Sequence, residues 1–256
     1  MSTPSLLITD LDGTLAGDGP ALQRFKGFLN ALPDPPVLVY VTGRHLDSAR
    51  ALIHEDHLPS PQLLVTDVGT AIYDGATLRE DATWRQRMQT NWEPEAIRQL
   101  VQRIPDISLQ PIPESRRVSC TTTDSDSVAA LQQALEAANL AHTLIYSAQR
   151  YVDILPADSG KGQAVAYLLE AYYPQSRQVL IAGDSGNDTA MLKLGLPAVV
   201  VGNAHPELDA LAQLPHVHRA QATHAAGIIE GWQHFFGPAI VQQPPDPAAI
   251  QENADV

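Results

Sequence analysis

The sequence contains little cysteine, little positive charge and no long apolar run. Its single cysteine, Cys120, excludes an internal disulfide and fits a reducing compartment. Only 16 Lys and Arg residues stand against 29 Asp and Glu, and the net charge of -13 disfavours nucleic acid as a partner, because phosphate backbones attract basic proteins. No stretch approaches the ~18 apolar residues that span a bilayer, and no signal-peptide pattern begins the chain. We therefore expect a soluble cytoplasmic protein with no membrane or nucleic-acid partner.

Short apolar runs alternate with amphipathic stretches along much of the chain. Residues 22–32 and 162–172 have helical patterns. The runs typical of strands buried on both faces are residues 6–8, 37–41, 63–65, 179–182 and 198–201. This alternation predicts an α/β protein with a doubly wound, Rossmann-like parallel sheet.

Residues 82–155 have a different pattern, with helical stretches and two strand-like regions at residues 117–123 and 144–155. These elements are too few for a second large parallel sheet. We predict an inserted α+β cap domain over residues 82–155 that interrupts the core after its third strand. Residues 1–81 and 156–240 then form the core. The segment 241–256 is rich in Pro and then acidic, and we expect a disordered tail there.

Polar clusters follow three of the predicted core strands. They are Asp10 and Asp12 after the first strand, residues 42–44 after the second, and residues 183–188 after the run at 179–182. In open α/β sheets, ligands bind beyond the carboxyl ends of the strands. The three clusters are therefore predicted to form one site, although they are far apart in the sequence.

The residue types of these clusters suit phosphate chemistry that uses a metal ion. Asp10, at a strand end, is a plausible nucleophile toward phosphorus, because carboxylates form acyl-phosphates. Two anions repel unless a cation lies between them, and Asp184 and Asp188 offer the hard oxygens that Mg²⁺ prefers. Lys161, at the start of a predicted helix, adds a positive charge where the helix dipole also favours an anion.

A second set of residues is suited to binding the phosphate itself. Thr42 supplies a hydroxyl, the Gly43 amide can approach phosphate oxygens closely, and Arg44 can reach phosphate or sugar. Each motif alone has a plainer interpretation, since a DxD after a strand is mostly a turn and an arginine is often in a salt bridge. All the motifs together, in this order and at predicted strand ends, favour a functional site.

These motifs resemble those of the haloacid dehalogenase-like phosphatase superfamily. The first motif, DxDGT, is similar to residues 10–14, and the second, a strand ending in Ser or Thr, to residues 42–44. The third, a lysine, is similar to Lys161, and the fourth, GDxxND, to residues 183–188. An α/β cap between the second and third motifs resembles the arrangement of the superfamily's sugar phosphatases.

The resemblance implies a role for each matching residue. Asp10 would be the nucleophile, and Asp12 the general acid/base that also gives Mg²⁺ its backbone carbonyl. Thr42 and Lys161 would hold phosphate, and Asp184 would ligate Mg²⁺. The residues that would support the metal and the lysine are Asn187 and Asp188.

Within that branch, the chain is most similar to the sucrose-phosphate phosphatase family. The similarity rests on residues 40–44, 68–73, 153–156, 202–208 and 219–225. It implies a Mg²⁺-dependent phosphatase that acts on sucrose 6-phosphate through an aspartyl-phosphate intermediate. Residues 21–44 also resemble the related mannosylfructose-phosphate phosphatases. A mannosylfructose or glucosylglycerate-type phosphate therefore stays open as the substrate, and a sugar-phosphate synthase as a partner.

The substrate-facing residues of the cap are the least defined part of the expected site. Tyr146, Gln149, Arg150 and Asp153 are candidates to bind sugar hydroxyls, although surface positions on an edge strand would look the same. Two functions other than a phosphatase also stay open as alternatives. A sugar phosphomutase would need a second phosphate site, and a non-catalytic sugar-phosphate sensor would be expected to lack a catalytic residue. The arginines that could hold a second phosphate are Arg116, Arg117 and Arg150. We expect the histidines at 216, 218 and 224 to be surface residues, and the tryptophans at 84, 92 and 232 to be packing anchors.

Overall fold

A computed structural model describes residues 4–113, 115–176 and 178–237. The predicted tail at 241–256 lies outside the described residues. Within these ranges, eleven strands form two sheets, a seven-stranded sheet of order β11-β10-β9-β1-β2-β3-β4 and a four-stranded sheet of order β5-β6-β8-β7. The strands are β1 Leu6–Thr9, β2 Val37–Val41, β3 Leu63–Thr66, β4 Ala71–Asp74, β5 Ser108–Leu109, β6 Val118–Thr121, β7 Thr143–Ser147, β8 Tyr151–Leu155, β9 Val179–Gly183, β10 Ala198–Val200 and β11 Val217–Arg219.

Helices pack against both sheets, and they cover both faces of the larger one. The helices are α1 Gly19–Ala31, α2 Leu46–Glu55, α3 Ala82–Gln89, α4 Pro94–Val101, α5 Ser125–Ala137, α6 Lys161–Ala171, α7 Thr189–Leu192 and α8 His224–Phe236. Successive residues of one strand point to opposite faces, so Leu6 and Ile8 join one apolar cluster while Leu7 joins the other. This two-sided burial explains the continuous apolar strands and confirms the predicted α/β class.

The larger sheet is parallel except at one edge. Neighbouring strands are parallel to one another along the sheet from β11 to β10, β9, β1, β2 and β3. Strand β4, at the edge, pairs antiparallel with β3. The prediction that the insertion follows the third core strand is therefore wrong, because β4 comes first. The sequence signal was weak since β4 has four residues and follows β3 through a tight turn. Asp67, Val68 and Gly69 of that turn all have left-handed backbone angles.

The smaller sheet is antiparallel and has its own apolar cluster. Helices α4 and α5 pack against it through Ile97, Val101 and Leu131, and Val152 and Ile154 contribute from β8. Helix α3 packs elsewhere, since its buried Trp84 and Met88 join a cluster of the larger sheet. An α+β unit therefore lies between β4 and α6 along the chain, and the cap predicted over residues 82–155 stays a prediction.

In the part of the chain that the structure describes, no helix has the length and apolarity required to cross a membrane. The cytoplasmic location expected from the sequence stays a prediction.

Candidate active site

The carboxyl ends of three neighbouring strands bring the predicted site residues together. Asp10 follows β1, Thr42 follows β2 and Asp184 follows β9, and β1 lies between the other two strands in the sheet. Asp10, Thr42 and Asp184 are all buried. The order of the strands therefore brings together residues as distant in the sequence as Asp10 and Asp184.

Lys161 is buried between two carboxylates. It begins α6, its side chain is 1% exposed, and its Nζ donates to Asp10 Oδ1 and to Asp188 Oδ1, both at 2.7 Å. Burial by itself would lower the pKa of Lys161, but the charges of Asp10 and Asp188 outweigh burial and raise that pKa above its usual value. The ammonium therefore stays charged at neutral pH and offsets part of the negative charge around it.

Three carboxylates crowd this end of the sheet. Asp10, Asp184 and Asp188 can each direct one oxygen into a group whose members lie within 4.8 Å of one another. Burial, followed by repulsion from Asp188 and Asp184, raises the pKa of Asp10 well above its usual value despite the opposing effect of Lys161. Burial and Asp188 also raise the pKa of Asp184 to about 6. Hard oxygens that repel one another in a buried site fit a divalent cation such as Mg²⁺.

Asp188, besides being one of these three carboxylates, stabilises the loop that follows β9. Its Oδ1 accepts from Lys161, and its Oδ2 accepts the backbone amides of Asp184 at 3.0 Å and Ser185 at 3.1 Å. The side chain thereby folds the loop after β9 back on itself. Its predicted part in metal binding stays a prediction, since both of its oxygens already accept hydrogen bonds.

Two residues next to Asp12 set the position of Asp184. Thr14 Oγ1 donates to Asp184 Oδ1 at 2.8 Å. Gly13 has a φ of +75°, and a Cβ at this position would lie 2.5 Å from Asp184 Oδ2. Glycine is therefore needed both for the backbone conformation and for the close approach of the carboxylate. The DxDGT motif includes both residues, but the sequence does not indicate that they act on Asp184.

The side chain of Asp12 is exposed and pairs with Arg44. The guanidinium donates from Nε to Oδ2 at 2.8 Å and from Nη2 to Oδ1 at 2.7 Å, and its Nη1 donates to Ser48 Oγ at 2.9 Å. The hydrogen bonds to Asp12 raise the pKa of Arg44 further. Any contribution of Asp12 to the metal in this arrangement would come from its backbone carbonyl, as the motif resemblance implies.

The turn between β3 and β4 contacts the loop that follows β2, a relationship that sequence reasoning missed. Its Val68 amide donates to the Thr42 carbonyl at 3.1 Å, and its Asp67 amide donates to the Arg44 carbonyl at 2.8 Å. Gly69 lies so close to the segment before α6 that a Cβ there would be 2.3 Å from the Gly160 carbonyl carbon. The turn therefore touches the loop of Thr42 and the start of the helix that carries Lys161.

A cleft of about 490 Å³ opens above these residues, between the two sheets. The larger sheet contributes Asp10, Asp12, Gly43, Arg44, Asp184, Ser185, Asn187 and His205, and the α+β unit contributes Gln110, Arg117, Ser147, Ala148, Tyr151 and Asp153. This cleft is large enough for a small polar molecule, and its lining includes Asp10, Asp12 and Asp184. Sequence reasoning gave no site role to Gln110 or to His205, although His205 lies within residues 202–208, one of the stretches that carry the family resemblance.

The predicted sugar-binding residues of the α+β unit differ in their positions. Asp153 lines the cleft and is buried, where its Oδ1 accepts from Arg117 Nη1 at 3.1 Å and from Ser119 Oγ at 2.5 Å. Gln149 and Arg150 are exposed beside the cleft lining, and the Arg150 guanidinium lies 5.7 Å from the centre of the Tyr151 ring. Tyr146 is half-buried against the apolar cluster of the smaller sheet. Their sugar-binding roles stay predictions.

The histidines and tryptophans singled out in the sequence lie outside this centre. His218 pairs with Glu230 at 2.8 Å and His216 contacts the Leu192 carbonyl at 3.1 Å. Among the described residues, the groups that could hold a metal include no histidine. Trp84 and Trp232 are buried as packing anchors. The remaining residues of the two sets are His224, which begins α8, and Trp92, which packs against the cluster of the smaller sheet.

Comparison with known proteins agrees with this geometry. A sequence model of the family described as sucrose-6F-phosphate phosphohydrolase matches residues 3–236. A mannosylfructose-phosphate phosphatase of Agrobacterium fabrum is 37% identical over 241 residues, which cover 90% of this chain and 96% of the relative. A glucosylglycerol-phosphate synthase of Pseudomonas anguilliseptica is 33% identical over 90% of this chain, but the match spans only 30% of that longer protein.

Among solved structures, the sucrose-phosphatase of Synechocystis sp. PCC6803, in complex with sucrose and phosphate, superposes with a TM-score of 0.82. It is 29% identical, and the alignment covers 91% of this chain and 98% of that one. The resemblance inferred from the motifs is thus confirmed. Since the family match includes both sheets and every motif residue, the chain belongs to the sucrose-6F-phosphate phosphohydrolase family and is a haloacid dehalogenase-like hydrolase of phosphate monoesters.

Proposed function

We propose that this enzyme releases phosphate from a phosphorylated disaccharide, with sucrose 6-phosphate as the substrate. The observation that carries the proposal is the position of Asp10. It lies at the floor of a cleft, beside the buried cation Lys161 and within reach of Asp184. A phosphoryl group enters such a site next to a nucleophile and to positive charge, while the rest of the cleft is left for the sugar.

The proposed reaction has two steps at phosphorus. The Asp10 carboxylate forms a bond to phosphorus as the bond to the sugar oxygen breaks, and Asp12 gives that oxygen its proton. Asp12 then takes a proton from water, whose oxygen attacks phosphorus and releases phosphate from Asp10. Asp12 thus returns to its protonated form after each turnover, and its exposure to the cleft supports this double role.

Binding and orientation fall to residues around the nucleophile. Lys161 fixes the Asp10 carboxylate and supplies positive charge, and Thr42 and Gly43 lie where the second strand ends beside it. The residues proposed to hold Mg²⁺ are Asp10, Asp184, Asp188 and the Asp12 carbonyl. When bound, this cation would screen the repulsion between Asp10 and phosphate and stabilise charge on the transferring group. Asn187, on the cleft wall, is proposed to contact phosphate.

The cap is proposed to be residues 82–155, with its small sheet standing over the cleft and its first helix docked on the core. Gln110, Arg117, Tyr151 and Asp153 give the cap side of the cleft hydrogen-bonding groups and one aromatic ring. Such groups suit the hydroxyls and apolar faces of a sugar. We therefore propose that the cap selects the sugar while the core carries out the chemistry, and Gln149 and Arg150 stay candidates at the rim.

Mannosylfructose phosphate is the second candidate substrate. The 37% identity and nearly full-length match to the Agrobacterium fabrum phosphatase favour it, whereas the family description and the Synechocystis structure favour sucrose 6-phosphate. Both sugars contain a fructose unit, so a shared subsite for that unit would explain both similarities. A glucosylglycerate-type phosphate lacks this unit and would need different cap contacts.

A phosphomutase is less well supported than a phosphatase, because it would need free arginines to bind a second phosphate. Arg116 pairs with Glu80 at 2.6 Å, and Arg117 lies between Asp153 at 3.1 Å and Asp67 at 3.6 Å. These two cations are already neutralised, so they offer a second phosphate little free charge. Arg150, the third arginine considered, is exposed and lies over the Tyr151 ring, so a second phosphate site would depend on this residue. A non-catalytic sensor is also disfavoured, because the nucleophile and its buried lysine are both in place.

A sugar-phosphate synthase is proposed as the enzyme that supplies the substrate. The similarity to one part of a glucosylglycerol-phosphate synthase supports such a link, since a related unit occurs there within one longer chain. Sedimentation of the two purified proteins, alone and mixed, would distinguish physical association from a link through the substrate only.

A phosphate-release panel tests the proposed substrate. The purified chain with Mg²⁺ is assayed against sucrose 6-phosphate, mannosylfructose phosphate, a glucosylglycerate-type phosphate and simple hexose phosphates. We expect the highest kcat/KM for sucrose 6-phosphate, with free phosphate as a product. Equal kcat/KM across the panel would contradict a dedicated disaccharide phosphatase, and phosphate migration without release would indicate a mutase.

A further inference from the structure

The carboxylate of Glu207 joins two backbone amides that come from opposite sides of the cleft. The Gly186 amide donates to Glu207 Oε1 at 2.5 Å. The Ala148 amide donates to the same carboxylate, at 3.0 Å to Oε1 and 3.2 Å to Oε2. Glu207 itself lies in the 3-10 helix Pro206–Gln213, which follows β10 and takes no part in the chemistry described above.

The two amides belong to segments that matter for the site. Gly186 opens the short helical turn between Asp184 and Asp188, in the loop of the acidic residues. Ala148 lies at the tip of the hairpin between β7 and β8 in the cap, where the tip residues Ala148 and Gln149 have left-handed φ values of 50° and 49°. Neither is a glycine, so this tight turn costs conformational energy that its contacts must offset.

The Glu207 carboxylate lies close against Gly186. A Cβ placed on Gly186 would be 2.7 Å from Glu207 Oε1, so a larger residue there would displace the carboxylate. Ala148 and Ser185, which line the cleft, lie one on each side of this contact. Glu207 therefore ties the cap wall of the cleft to the core wall at the point where the two meet.

We propose that Glu207 is a positioning residue that holds the cap hairpin on the acidic loop and so aligns the cap for the sugar part of the substrate. This inference rests on the proposed function, because it assumes that the cap binds sugar. Hydrogen bonds to a charged acceptor are stronger than neutral ones, and one carboxylate makes two such links here. Without Glu207, the hairpin tip loses its tie to the core while the nucleophile and its lysine keep theirs.

The effect of replacing Glu207 should therefore depend on whether the substrate has a sugar that contacts the cap. For the sugar phosphate that wild type prefers, Glu207→Ala should raise KM about tenfold or more, as expected for loss of a charged hydrogen bond. For p-nitrophenyl phosphate, which has no sugar to align, kcat/KM should stay within about twofold of wild type. Glu207→Gln keeps an oxygen acceptor but not the charge, and should fall between wild type and Glu207→Ala. Glu170→Gln, which neutralises an exposed carboxylate on α6, is the matched control.

Hydrogen exchange provides a readout that does not depend on any substrate. In Glu207→Ala, the Ala148 amide should exchange faster, because its described hydrogen bonds go to Glu207. The Val152 amide, within β8 of the same hairpin, should keep its protection. Faster exchange at Ala148 together with a selective rise in KM for the sugar phosphate supports the proposal.

Three results would overturn it. They are unchanged exchange at Ala148, an unchanged KM for the sugar phosphate, or an equal loss of activity toward both kinds of substrate. If wild type turns over p-nitrophenyl phosphate but none of the sugar phosphates, the proposed function fails instead. The exchange measurement still decides whether Glu207 holds the hairpin.

Discussion

Arg44 holds Asp12 through two side-by-side hydrogen bonds, Nε to Oδ2 at 2.8 Å and Nη2 to Oδ1 at 2.7 Å. A planar guanidinium that binds both oxygens of a carboxylate fixes its direction as well as its charge. In this arrangement both oxygens of the proposed acid/base are held on the second-strand side of the cleft. To protonate a leaving oxygen, Asp12 must exchange at least one of these bonds for a proton.

Replacement of Arg44 should therefore affect the chemical step. We expect Arg44→Lys to lower kcat about tenfold, because lysine keeps the charge but cannot hold both oxygens, and Arg44→Gln to lower it further. Steady-state kinetics over a range of pH measures this effect. Arg50→Lys is the control, since Arg50 is an exposed arginine that pairs with Asp47 on α2. A kcat for Arg44→Lys equal to that of Arg50→Lys would contradict the positioning role.

Removal of the acid/base should separate the two proposed steps. With p-nitrophenyl phosphate, whose leaving group needs no proton, Asp12→Asn should still transfer phosphate to Asp10 but hydrolyse the aspartyl-phosphate slowly. We expect a burst of nitrophenolate that approaches one equivalent of enzyme, followed by a slow steady rate. Rapid mixing measures the burst, and intact-protein mass measures the retained phosphoryl group. Unchanged steady turnover by Asp12→Asn would mean that another group activates the water.

Metal affinity should depend on pH through the buried carboxylates. The pKa of Asp184 is raised to about 6 in the metal-free protein, so protons compete with Mg²⁺ for this residue below that pH. Affinity should accordingly rise as pH increases through about 6 and level off above it. Calorimetric titration with Mg²⁺ between pH 5 and 8 tests this. Asp184→Asn should bind more weakly and with a flatter pH dependence, whereas a flat profile for wild type would contradict the expectation.

Lys161 should contribute to stability as well as to activity. Its removal leaves Asp10 and Asp188 buried without their cation, which costs about 3–5 kcal/mol for a buried ion pair that loses one partner. Lys161→Met in the presence of a chelator should therefore unfold at lower urea concentration at pH 7.5. The loss should be smaller at pH 5, because Asp184, whose pKa is raised to about 6, takes up a proton there, and because the raised pKa of Asp10 favours its protonation as the pH falls.

A lysine outside the site separates this effect from the loss of any positive charge. Lys193→Met, at an exposed position after α7, should change the free energy of unfolding by less than about 0.5 kcal/mol. Equal effects of the two substitutions would mean that the ion pairs of Lys161 contribute no more than surface charge.

Much of the core site could be predicted from sequence because each motif residue follows a recognisable element. Asp10 and Asp184 come directly after apolar strands. Residues at the carboxyl ends of parallel strands lie at the same edge of the sheet, so these two side chains are expected to be close together. The buried state of Lys161 follows less directly, since the residue starts a helix and only the sheet order brings it between Asp10 and Asp188. The antiparallel β4 was missed because four residues after a left-handed turn give no clear periodicity.

Contacts between the two sheets could not be predicted in the same way. Glu207 and Ala148 are 59 residues apart and meet through a side chain and a backbone amide, so neither residue type marks the contact. Arg117 was considered as a phosphate ligand, whereas the structure pairs it with Asp153 and Asp67. Such pairs depend on how the α+β unit lies over the larger sheet, which hydrophobic patterns within either part do not specify.

The nucleophilic role of Asp10 is the central claim, and phosphate release by Asp10→Asn tests it most directly. Wild type and Asp10→Asn are purified to homogeneity and assayed with sucrose 6-phosphate and Mg²⁺. Asparagine keeps the size of the side chain but is a poor nucleophile toward phosphorus, so the variant should fold and release no phosphate above background. Phosphate release by homogeneous Asp10→Asn at a rate comparable to wild type would contradict the aspartyl-phosphate mechanism.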